Sequence, residues 1–381
     1  MGYSTHIGKF ISENKDWKEI LSNEPYNLKI SCDGEYVLMK YDMRTADFSY
    51  PIVREARGII FKVGEWEYPV CHPFNKFFNY GETFSDDVDW NSAVVSEKID
   101  GSLMKLWFDE NMWHLSTNGS IDAYKTTFND RDNTFGELFE KALSGIGLSF
   151  SDLTATLDRS CTYMFELVSP ISRIVIPYKT TDLYYLGRRE KWTDKEYPFF
   201  TKECVVHIPK CIKTPTVYKM NTLSQVLAAS GELPWDEEGY VVCDKLCNRV
   251  KIKSPKYILA HYHLTNRAVS FKNFLQIVIQ GEVEEFRQYA VQDTLATLNR
   301  AIEVVNRFRS ECEDALKVVN ELRSEDRSYI ASVINTYPAN IKPFMFLNIE
   351  KDLSFDEWTS AWEISKWMKF LGRYINEDYK D

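Results

Sequence analysis

The chain has 381 residues, of which 44% are hydrophobic and 27% charged, a composition typical of soluble globular proteins and a length sufficient for two domains. Its formal net charge of −10 argues against a protein that coats nucleic acid non-specifically, although basic clusters at 188–191 and 249–256 leave local binding open. No run of about 20 apolar residues occurs, so no membrane-spanning helix is predicted.

Residues 27–265 show short apolar runs separated by turn residues, with occasional helical patterns between them. β-Branched and aromatic residues predict strands at 37–39, 58–63, 93–95, 103–108, 163–166, 174–176, 184–186, 240–242 and 249–253. Between Thr134 and Leu143 the apolar residues fall on one helical face. This mixture predicts an α+β fold of antiparallel sheets with flanking helices, rather than a regular βαβ repeat.

The pattern changes after about residue 268. Between residues 295 and 319 apolar residues repeat at spacings of three, four and seven, which predicts a long amphipathic helix. Ser354-Phe355-Asp356-Glu357 is a capping box that predicts the start of a last helix, which would end near Gly372 and carry Trp358, Trp362 and Ile364. We therefore expect two domains, one at residues 1–267 and an all-helical C-terminal domain at residues 268–381.

The most informative string is Ser96-Glu97-Lys98-Ile99-Asp100-Gly101-Ser102-Leu103, which follows a predicted strand. A lysine, one spacer, an acid and a glycine form the arrangement of a lysine that becomes covalently nucleotidylated. Because a lysine amine is protonated at neutral pH, it can attack phosphorus only where desolvation or neighbouring cations favour its neutral form. Gly101 would allow a tight turn, and Asp100 would hold the turn or contact the substrate. Alone, such a string also fits an ordinary surface turn.

Three further patterns follow along the chain. Tyr163-Met164-Phe165-Glu166 is a predicted strand that ends in a carboxylate, and Glu238-Gly239-Tyr240 places another carboxylate at the start of a strand. In Arg249-Val250-Lys251-Ile252-Lys253 basic and apolar residues alternate, so the three charges are expected on one face. Each pattern alone is typical of a solvated surface; their order and combination favour a catalytic site.

Eight cysteines are spread over the chain, as expected for reduced thiols. The spacing of one group can be drawn as a zinc site, although neither half is a Cys-x-x-Cys pair; its members are Cys204, His207, Cys211, Cys243 and Cys247. A metal at this cluster is therefore left open.

Together these strings resemble the motifs of the covalent nucleotidyltransferases, which include ATP-dependent DNA and RNA ligases and GTP-dependent capping enzymes. The resemblance to their first, third, fourth and fifth motifs is carried by Lys98-Ile99-Asp100-Gly101, Phe165-Glu166, Glu238-Gly239-Tyr240-Val241 and Lys251-Ile252-Lys253. The flanking strings are similar to the phage-type ATP-dependent RNA ligase 1 family: Glu55-Ala56-Arg57-Gly58-Ile59-Ile60-Phe61, Asn75-Lys76-Phe77-Phe78-Asn79, Gly119-Ser120-Ile121 and residues 165–175. The resemblance covers about residues 50–260.

The resemblance implies an adenylyltransferase domain and a three-step reaction. Lys98 would attack the α-phosphate of ATP with Mg²⁺, the AMP would pass to an RNA 5′-phosphate, and a 3′-hydroxyl would displace the AMP. Nucleotide contacts are implied for Arg57, Lys76, Ile99, Glu166, Glu238, Lys251, Lys253 and Tyr257, with Glu238 either holding Mg²⁺ or orienting the lysine. Supporting positions are implied for Asp100, Gly101, Asn118, Phe77 and Phe78, of which the two phenylalanines are expected to pack the cleft rather than stack on a base.

One position departs from the family pattern. Asn118 lies where family members commonly carry a basic residue, so hydrogen bonding is kept but the charge is lost. The implied partner is RNA with 5′-phosphate and 3′-hydroxyl ends, including cleaved tRNA, which points to a role in RNA repair. The sequence shows neither a signal-peptide pattern nor a membrane span, which predicts a cytoplasmic protein. We further expect a monomer that is phage-encoded or bacterial.

Two alternatives stay open on the sequence. DNA ligases and capping enzymes share the core but normally carry an OB-fold barrel after the fifth motif, whereas this chain continues with a helical pattern. A catalytically impaired nucleotidyltransferase that only binds nucleotide or RNA would carry most of the same motifs. Transfer of AMP from ATP to Lys98 would distinguish it.

Overall fold

The computed structural model of the chain describes residues 5–127, 133–205, 208–258, 260, 271–287 and 292–377. Two compact units, Met1–Thr265 and Asn266–Asp381, make up the chain. Within the described ranges no helix is long and apolar enough to cross a membrane. The assignment of an adenylyltransferase domain to residues 1–267 and of a helical domain to 268–381 stays a prediction.

The described residues of the first unit form three sheets. In chain order the strands are β1 (Leu28–Asp33), β2 (Tyr36–Tyr41), β3 (Arg57–Lys62), β4 (Phe78–Asn79), β5 (Val94–Glu97), β6 (Ser102–Asp109), β7 (Met112–Thr117), β8 (Cys161–Val168), β9 (Asp182–Glu190), β10 (Glu196–Pro198), β11 (Val217–Tyr218), β12 (Gly239–Cys243) and β13 (Arg249–Lys253). The first sheet is β1-β2-β3, and the second is β10-β9-β8-β6-β7, both antiparallel. The third is β11-β5-β12-β13-β4, in which the β13–β4 pair is parallel and the others are antiparallel.

Short helices accompany these sheets. They span His6–Glu13, Trp17–Ser22, Pro51–Glu55, Phe135–Gly145, Phe150–Thr154, Lys202–Val205 and Leu223–Glu232, with a 3₁₀ turn at Ala123–Lys125. The Phe135–Gly145 helix begins at a capping box in which Thr134 and Glu137 bond each other's backbone amides. Its Leu138 and Phe139 are fully buried in the apolar core that also contains residues of β6, β8 and β9. Burial of side chains of this size contributes about 1.5–3 kcal/mol each.

The predicted α+β class with antiparallel sheets is confirmed, but the predicted strand at 174–176 is wrong. The backbone amides of Val175 and Ile176 donate to the carboxylate of Asp100, at 3.0 and 2.9 Å. Those amides are therefore not available to a sheet. The β-branched run alone gave no sign of this, because the acceptor lies 75 residues away from Val175 in sequence.

The described residues of the second unit form helices and no strands. The helices span Phe271–Gln280, Val283–Arg287, Gln292–Leu322, Arg327–Ile334, Lys342–Glu350, Phe355–Thr359 and Ile364–Glu377. The predicted long helix and the capping box at Ser354 are confirmed. The predicted extent of the last helix is wrong, because the chain leaves the helix after Thr359 and Gly372 lies inside a separate helix. Trp367, Leu371 and Tyr374, all buried, recur along that helix at spacings of four and three, and their burial outweighs the preference of glycine for a helix end.

Candidate active site

A cleft of about 280 Å³ opens in the first unit and is lined by residues of both five-stranded sheets. β5, β12 and β13 contribute from one sheet, and β6, β8 and β9 from the other. The predicted site residues that line the cleft are Arg57, Phe77, Lys98, Ile99, Gly101, Asn118, Glu166, Lys251 and Lys253. The fold thus brings together residues from widely separated stretches of the sequence.

Lys98 directly follows β5, and its backbone amide donates to the carbonyl of Gly239 at 2.9 Å. Its Nζ lies 2.7 Å from Oε2 of Glu238. The lysine side chain is 20% exposed and that of the glutamate only 5%, so the amine can meet a ligand while the carboxylate stays behind it. A carboxylate at this distance orients the amine and is within reach of its proton.

Glu238 reaches this position because the chain enters β12 at Gly239. This glycine has a φ of 138°, and a Cβ atom there would lie 2.2 Å from the carbonyl oxygen of Ile252 on β13. Glycine tolerates both the backbone angle and the close contact. The other carboxylate oxygen of Glu238, Oε1, lies 3.5 Å from Nζ of Lys253. One buried carboxylate therefore contacts the candidate nucleophile and a cation of β13.

β13 presents a row of cations to the cleft. Arg249, Lys251 and Lys253 line the cleft, whereas Val250 and Ile252 are buried, as the alternation of side chains along a strand requires. Arg249 forms an ion pair with Glu196, which fixes its guanidinium. Because fixed cations stabilise charge that develops on phosphate oxygens, the row is suited to a polyphosphate ligand.

Asp100 anchors the turn after Lys98. It is 4% exposed and accepts a hydrogen bond from the Tyr257 hydroxyl at 2.8 Å, in addition to the amides of Val175 and Ile176. The adjacent Gly101 packs tightly on β8, where a Cβ atom would lie 2.5 Å from the Leu167 carbonyl oxygen. Of the two roles expected for Asp100, this geometry favours holding the turn.

Glu166 lines the cleft from β8. Burial raises the pKa of its carboxyl to about 7, although the positive charge of Lys98 acts in the opposite direction. A carboxyl that titrates near neutrality can both donate and accept hydrogen bonds. Such a group is suited to contact sugar hydroxyls.

Three buried polar atoms beside the cleft have no hydrogen-bond partner in the described part of the chain: Nη1 of Arg57, Oδ1 of Asn118, and Oε2 of Glu238, whose contact with Lys98 is an ion pair. The Arg57 guanidinium lies 4.9 Å from the ring centre of Phe77. A buried donor without a partner costs about 1–3 kcal/mol. Its presence in a cleft wall indicates a place for an acceptor, and a phosphate oxygen is the preferred acceptor of a guanidinium.

Lys40 is a site candidate that the sequence motifs missed. With Arg57 and Asn118 it lines a cavity of about 320 Å³, and no hydrogen bond or ion pair holds its Nζ among the described residues. Lys29 lines the same cavity but is paired with Asp42 at 2.7 Å. No motif surrounds Lys40 in the sequence. The pairing of β2 with β3, which sets Lys40 opposite Arg57, is the signal that identifies it.

Besides Asp100 and Glu238, three predicted residues lie outside the cleft lining. Lys76 lies over three aromatic rings, with its Nζ 5.3–5.4 Å from their centres, and lines a neighbouring groove. Phe78 is buried and packs against two other phenylalanines, in keeping with the packing role expected for it. Tyr257 is 2% exposed and bonded to Asp100, so this arrangement gives it a positioning role instead of a direct contact with the cleft.

The described residues provide no complete metal cage, since no group of three His, Cys, Asp or Glu side chains is placed to hold an ion. Mg²⁺ in nucleotide sites is usually held by substrate phosphates and water with one or two carboxylates. Glu97 and Glu166 line the cleft and fit that mode. Both oxygens of Glu238 contact lysines, and its role as a magnesium ligand stays a prediction.

The zinc alternative finds no support in the described part of the chain. Cys204 and Cys243 are buried, Cys211 is exposed, and His207 lies outside the described residues. The Cys204 thiol is within 2.9 Å of the Tyr185 hydroxyl. The four described cysteines of the cluster belong to no group of three candidate ligands.

The chain is similar in sequence to proteins described as RNA ligases. The model of a family described as RNA ligase matches residues 55–257, more than half of the chain. A protein of Autographa californica nuclear polyhedrosis virus, whose name pairs a polynucleotide kinase with an RNA ligase, is 29% identical over 300 residues, covering 74% of this chain and 41% of that protein. The RNA ligase of Rhodothermus phage RM378 is 23% identical over 357 residues, covering 77% of this chain and 78% of that one. A solved archaeal ATP-dependent RNA ligase is 12% identical, with a TM-score of 0.43 over 80% of this chain and 82% of that one.

The chain spans about two fifths of the length of the baculovirus relative. The matched region, 55–257, contains every residue that lines the cleft, including Lys98 and the cations of β13. The match therefore covers the part of the molecule in which the candidate chemistry lies. On this match the chain belongs to the phage-type RNA ligase family.

Proposed function

We propose that this protein is an ATP-dependent RNA ligase that joins 5′-phosphate and 3′-hydroxyl ends through lysyl-AMP and RNA-adenylate intermediates. The observation that carries the proposal is the Lys98 amine, 2.7 Å from the buried Glu238 carboxylate, at a cleft that Arg57 and the cations of β13 also line. Membership of the RNA ligase family supports the reaction class.

In the first step the Lys98 amine, having passed a proton to Glu238, attacks the α-phosphorus of ATP. A nitrogen–phosphorus bond forms while the bond from the α-phosphorus to the β-bridging oxygen breaks, and pyrophosphate leaves with the electron pair. Charge accumulates on the phosphate oxygens, where Lys251, Lys253 and Arg57 can stabilise it. Bound Mg²⁺ would neutralise further phosphate charge.

In the second step an oxygen of the RNA 5′-phosphate attacks the phosphorus of lysyl-AMP. The nitrogen–phosphorus bond breaks, and Glu238 can return the proton to the departing Lys98 amine. In the third step the RNA 3′-hydroxyl loses its proton to solvent and its oxygen attacks the 5′-phosphorus of the RNA-adenylate. The new phosphorus–oxygen bond completes the phosphodiester while the phosphoanhydride bond to AMP breaks, and AMP leaves with the electron pair. The same cations can stabilise all three steps, because each displaces a group at a phosphorus atom.

The finer parts of the proposal rest on the motif resemblance rather than on geometry. They are Mg²⁺ as the metal, cleaved tRNA among the substrates, and a role in RNA repair. The monomeric state and the cytoplasmic location of a phage-encoded or bacterial protein likewise stay expectations.

A ligation assay tests the proposal. A single-stranded RNA with a labelled 5′-phosphate and a 3′-hydroxyl should be joined by the wild type with ATP and Mg²⁺, but not by Lys98→Ala. Because the third step does not use the lysine as nucleophile, Lys98→Ala should still seal chemically prepared RNA-adenylate. Lys141→Ala, an exposed lysine of the same unit that lies outside the cleft lining, serves as the control. A wild-type protein that seals neither substrate would overturn the proposal.

A further inference from the structure

A second groove, of about 840 Å³, adjoins the nucleotide cleft, and Phe77 and Arg249 line both. Six separate stretches contribute to its walls: the His6–Glu13 helix, the Pro51–Glu55 helix, residues 75–77, the segment around Asp86, the β9–β10 turn and the β12–β13 turn. The convergence of these stretches makes the groove a defined concave surface of the first unit.

The groove is basic although the chain as a whole is acidic. Seven basic side chains and four carboxylates line it, in a protein with a net charge of −10. All four carboxylates are engaged within the protein: Glu55 and Asp86 accept backbone amides at 2.8–3.0 Å, Asp194 pairs with Arg189 at 2.9 Å, and Glu196 pairs with Arg249. Two carboxylates therefore neutralise two arginines, and the five remaining cations outnumber the two remaining carboxylates by three.

Those other cations are Lys9, Arg54, Lys76, Lys195 and Lys245. Lys9, Lys195 and Lys245 are exposed, and the side chains of Lys9 and Arg54 have no hydrogen-bond or ion-pair partner among the described residues. Lys245 lies 3.9 Å from Asp89, and Lys195 lies over the Tyr197 ring at 4.7 Å. Exposed contacts of this kind contribute about 0–1 kcal/mol, so these lysines remain available to an anionic ligand.

We propose that this groove holds the ribose-phosphate backbone of RNA next to the end that is being joined. Lysine and arginine side chains bind phosphates without reading the bases, as a ligase acting on different RNA ends requires. Because Phe77 and Arg249 line both the groove and the cleft that contains Lys98, the two lie next to each other. This inference rests on the ligase function proposed above and adds to it a path for the strand.

The test compares two triple variants of the full chain. Lys9→Ala/Lys195→Ala/Lys245→Ala removes the exposed lysines of the groove. Lys141→Ala/Lys210→Ala/Lys219→Ala removes three exposed lysines of the same unit that line none of the cavities described above. For each protein, lysyl-AMP formation from ATP is measured without RNA, and binding of a 5′-phosphorylated RNA is measured by fluorescence anisotropy between 50 and 200 mM salt, about the range over which phosphate contacts change affinity strongly.

We expect the groove variant to form lysyl-AMP at the wild-type rate but to bind RNA about tenfold more weakly. The slope of the logarithm of its RNA association constant against the logarithm of the salt concentration should be less steep by about 2. Each lost phosphate contact on a single strand removes about 0.7 from this slope. The control variant should match the wild type in both measurements. Unchanged RNA binding by the groove variant, or equal weakening in the control, would overturn the inference. Absence of lysyl-AMP in the wild type would instead count against the proposed function, so the two failures are distinguishable.

Discussion

Two glutamates beside the cleft have different surroundings and, on this account, different tasks. Glu238 is fixed between Lys98 and Lys253, with distances of 2.7 and 3.5 Å from its two oxygens. Glu166 lines the cleft on another strand, and burial holds its pKa at about 7. The first is placed to orient and deprotonate the amine, and the second to bond a neutral polar group of the ligand.

The raised pKa of Glu166 has a definite effect on stability. Between its ordinary value of 4.5 and the folded value of about 7, the folded protein keeps a proton that the unfolded chain releases. The stabilisation from this group is therefore present below pH 4.5 and is lost as the pH rises through 7. Glu166→Gln has no carboxyl group to ionise. Its free energy of unfolding relative to that of the wild type should therefore be about 1–2 kcal/mol higher at high pH than at low pH, a range that allows for solvent in the open cleft.

Urea unfolding of both proteins at about pH 5 and about pH 8, on either side of the folded pKa, measures this difference. Glu232→Gln, on the exposed end of the Leu223–Glu232 helix, is the matched control and should show no such dependence. A Glu166→Gln effect that is equal at the two pH values would contradict the burial assigned to this carboxyl.

Lys40 gives a second residue-scale prediction. It lies opposite Arg57 across β2 and β3 and lines the same cavity as Asn118, so its charge is placed to stabilise the departing pyrophosphate. We expect Lys40→Ala to slow lysyl-AMP formation about tenfold, which corresponds to about 1.4 kcal/mol of transition-state stabilisation. Asn118→Lys in the same variant should restore part of the rate by returning a cation to the cavity.

Single-turnover transfer of AMP to the protein measures this rate. Lys29→Ala is the control, because Lys29 lines the same cavity and its removal changes the local charge by the same amount, but its Nζ is bound to Asp42. If Lys29→Ala and Lys40→Ala slow the reaction equally, the effect is one of general charge and the assignment to Lys40 fails.

At the residue scale, the sequence identified residues whose type and spacing form a motif. Lys98, Glu166 and the β13 cations were found in this way and line one cleft. Lys40 was missed because its significance depends on a cross-strand partner, and sequence neighbours do not reveal such a partner. For Tyr257 the motif position predicted a nucleotide contact, but the direction of its hydroxyl depends on Asp100, 157 residues away.

At the scale of elements, the turn between β5 and β6 is fixed by contacts distant in sequence. Asp100 ties this turn to residues 175–176 and to Tyr257. Asp100→Ala should lower the free energy of unfolding by about 2–4 kcal/mol, because it removes charged hydrogen bonds and leaves buried amides without acceptors. Asp100→Asn should cost less, since one oxygen remains.

Chemical unfolding of the two variants and of Asp87→Ala, an exposed aspartate of the same unit, tests this anchor. Asp87→Ala should stay within about 0.5 kcal/mol of the wild type. Wild-type stability in Asp100→Ala would contradict the role of this carboxylate in holding the turn.

Elements with their own periodicity were predictable, and elements set by tertiary contacts were not. β13 follows from the alternation of basic and β-branched residues, β6 and β8 from their apolar and aromatic runs, and the long helix from its three-four-seven spacing. Residues 174–176 have the composition of a strand, but their amides bind Asp100. Gly372 has the character of a helix end, but buried neighbours keep it inside a helix.

At the scale of the whole molecule, the candidate chemistry belongs to one of two compact units. Every residue that lines the cleft falls within Met1–Thr265, whereas Phe308 is a fully buried aromatic residue at the core of Asn266–Asp381. Phe308→Ala should destabilise the second unit by about 3–5 kcal/mol, because it leaves a cavity among packed rings. The rate of lysyl-AMP formation should stay within about twofold of the wild-type rate, which corresponds to a change of about 0.4 kcal/mol in the activation free energy.

Thermal unfolding combined with AMP transfer to the protein separates these two effects. A loss of transfer in Phe308→Ala, at a temperature where the first unit remains folded, would show that the helical unit is needed for the first step. The sequence of the helical unit does not predict a substrate preference, because the spacing of apolar residues along a helix indicates its buried face and not its ligand.

The most direct measurement is transfer of label from α-labelled ATP to the protein with Mg²⁺, with GTP in parallel, after pyrophosphate treatment has removed any AMP already bound. We expect an acid-labile labelled band with ATP and not with GTP, present in Lys141→Ala and absent in Lys98→Ala. A band that persists in Lys98→Ala would contradict the nucleophile assignment. No band in the wild type would leave a protein that binds nucleotide without transferring it.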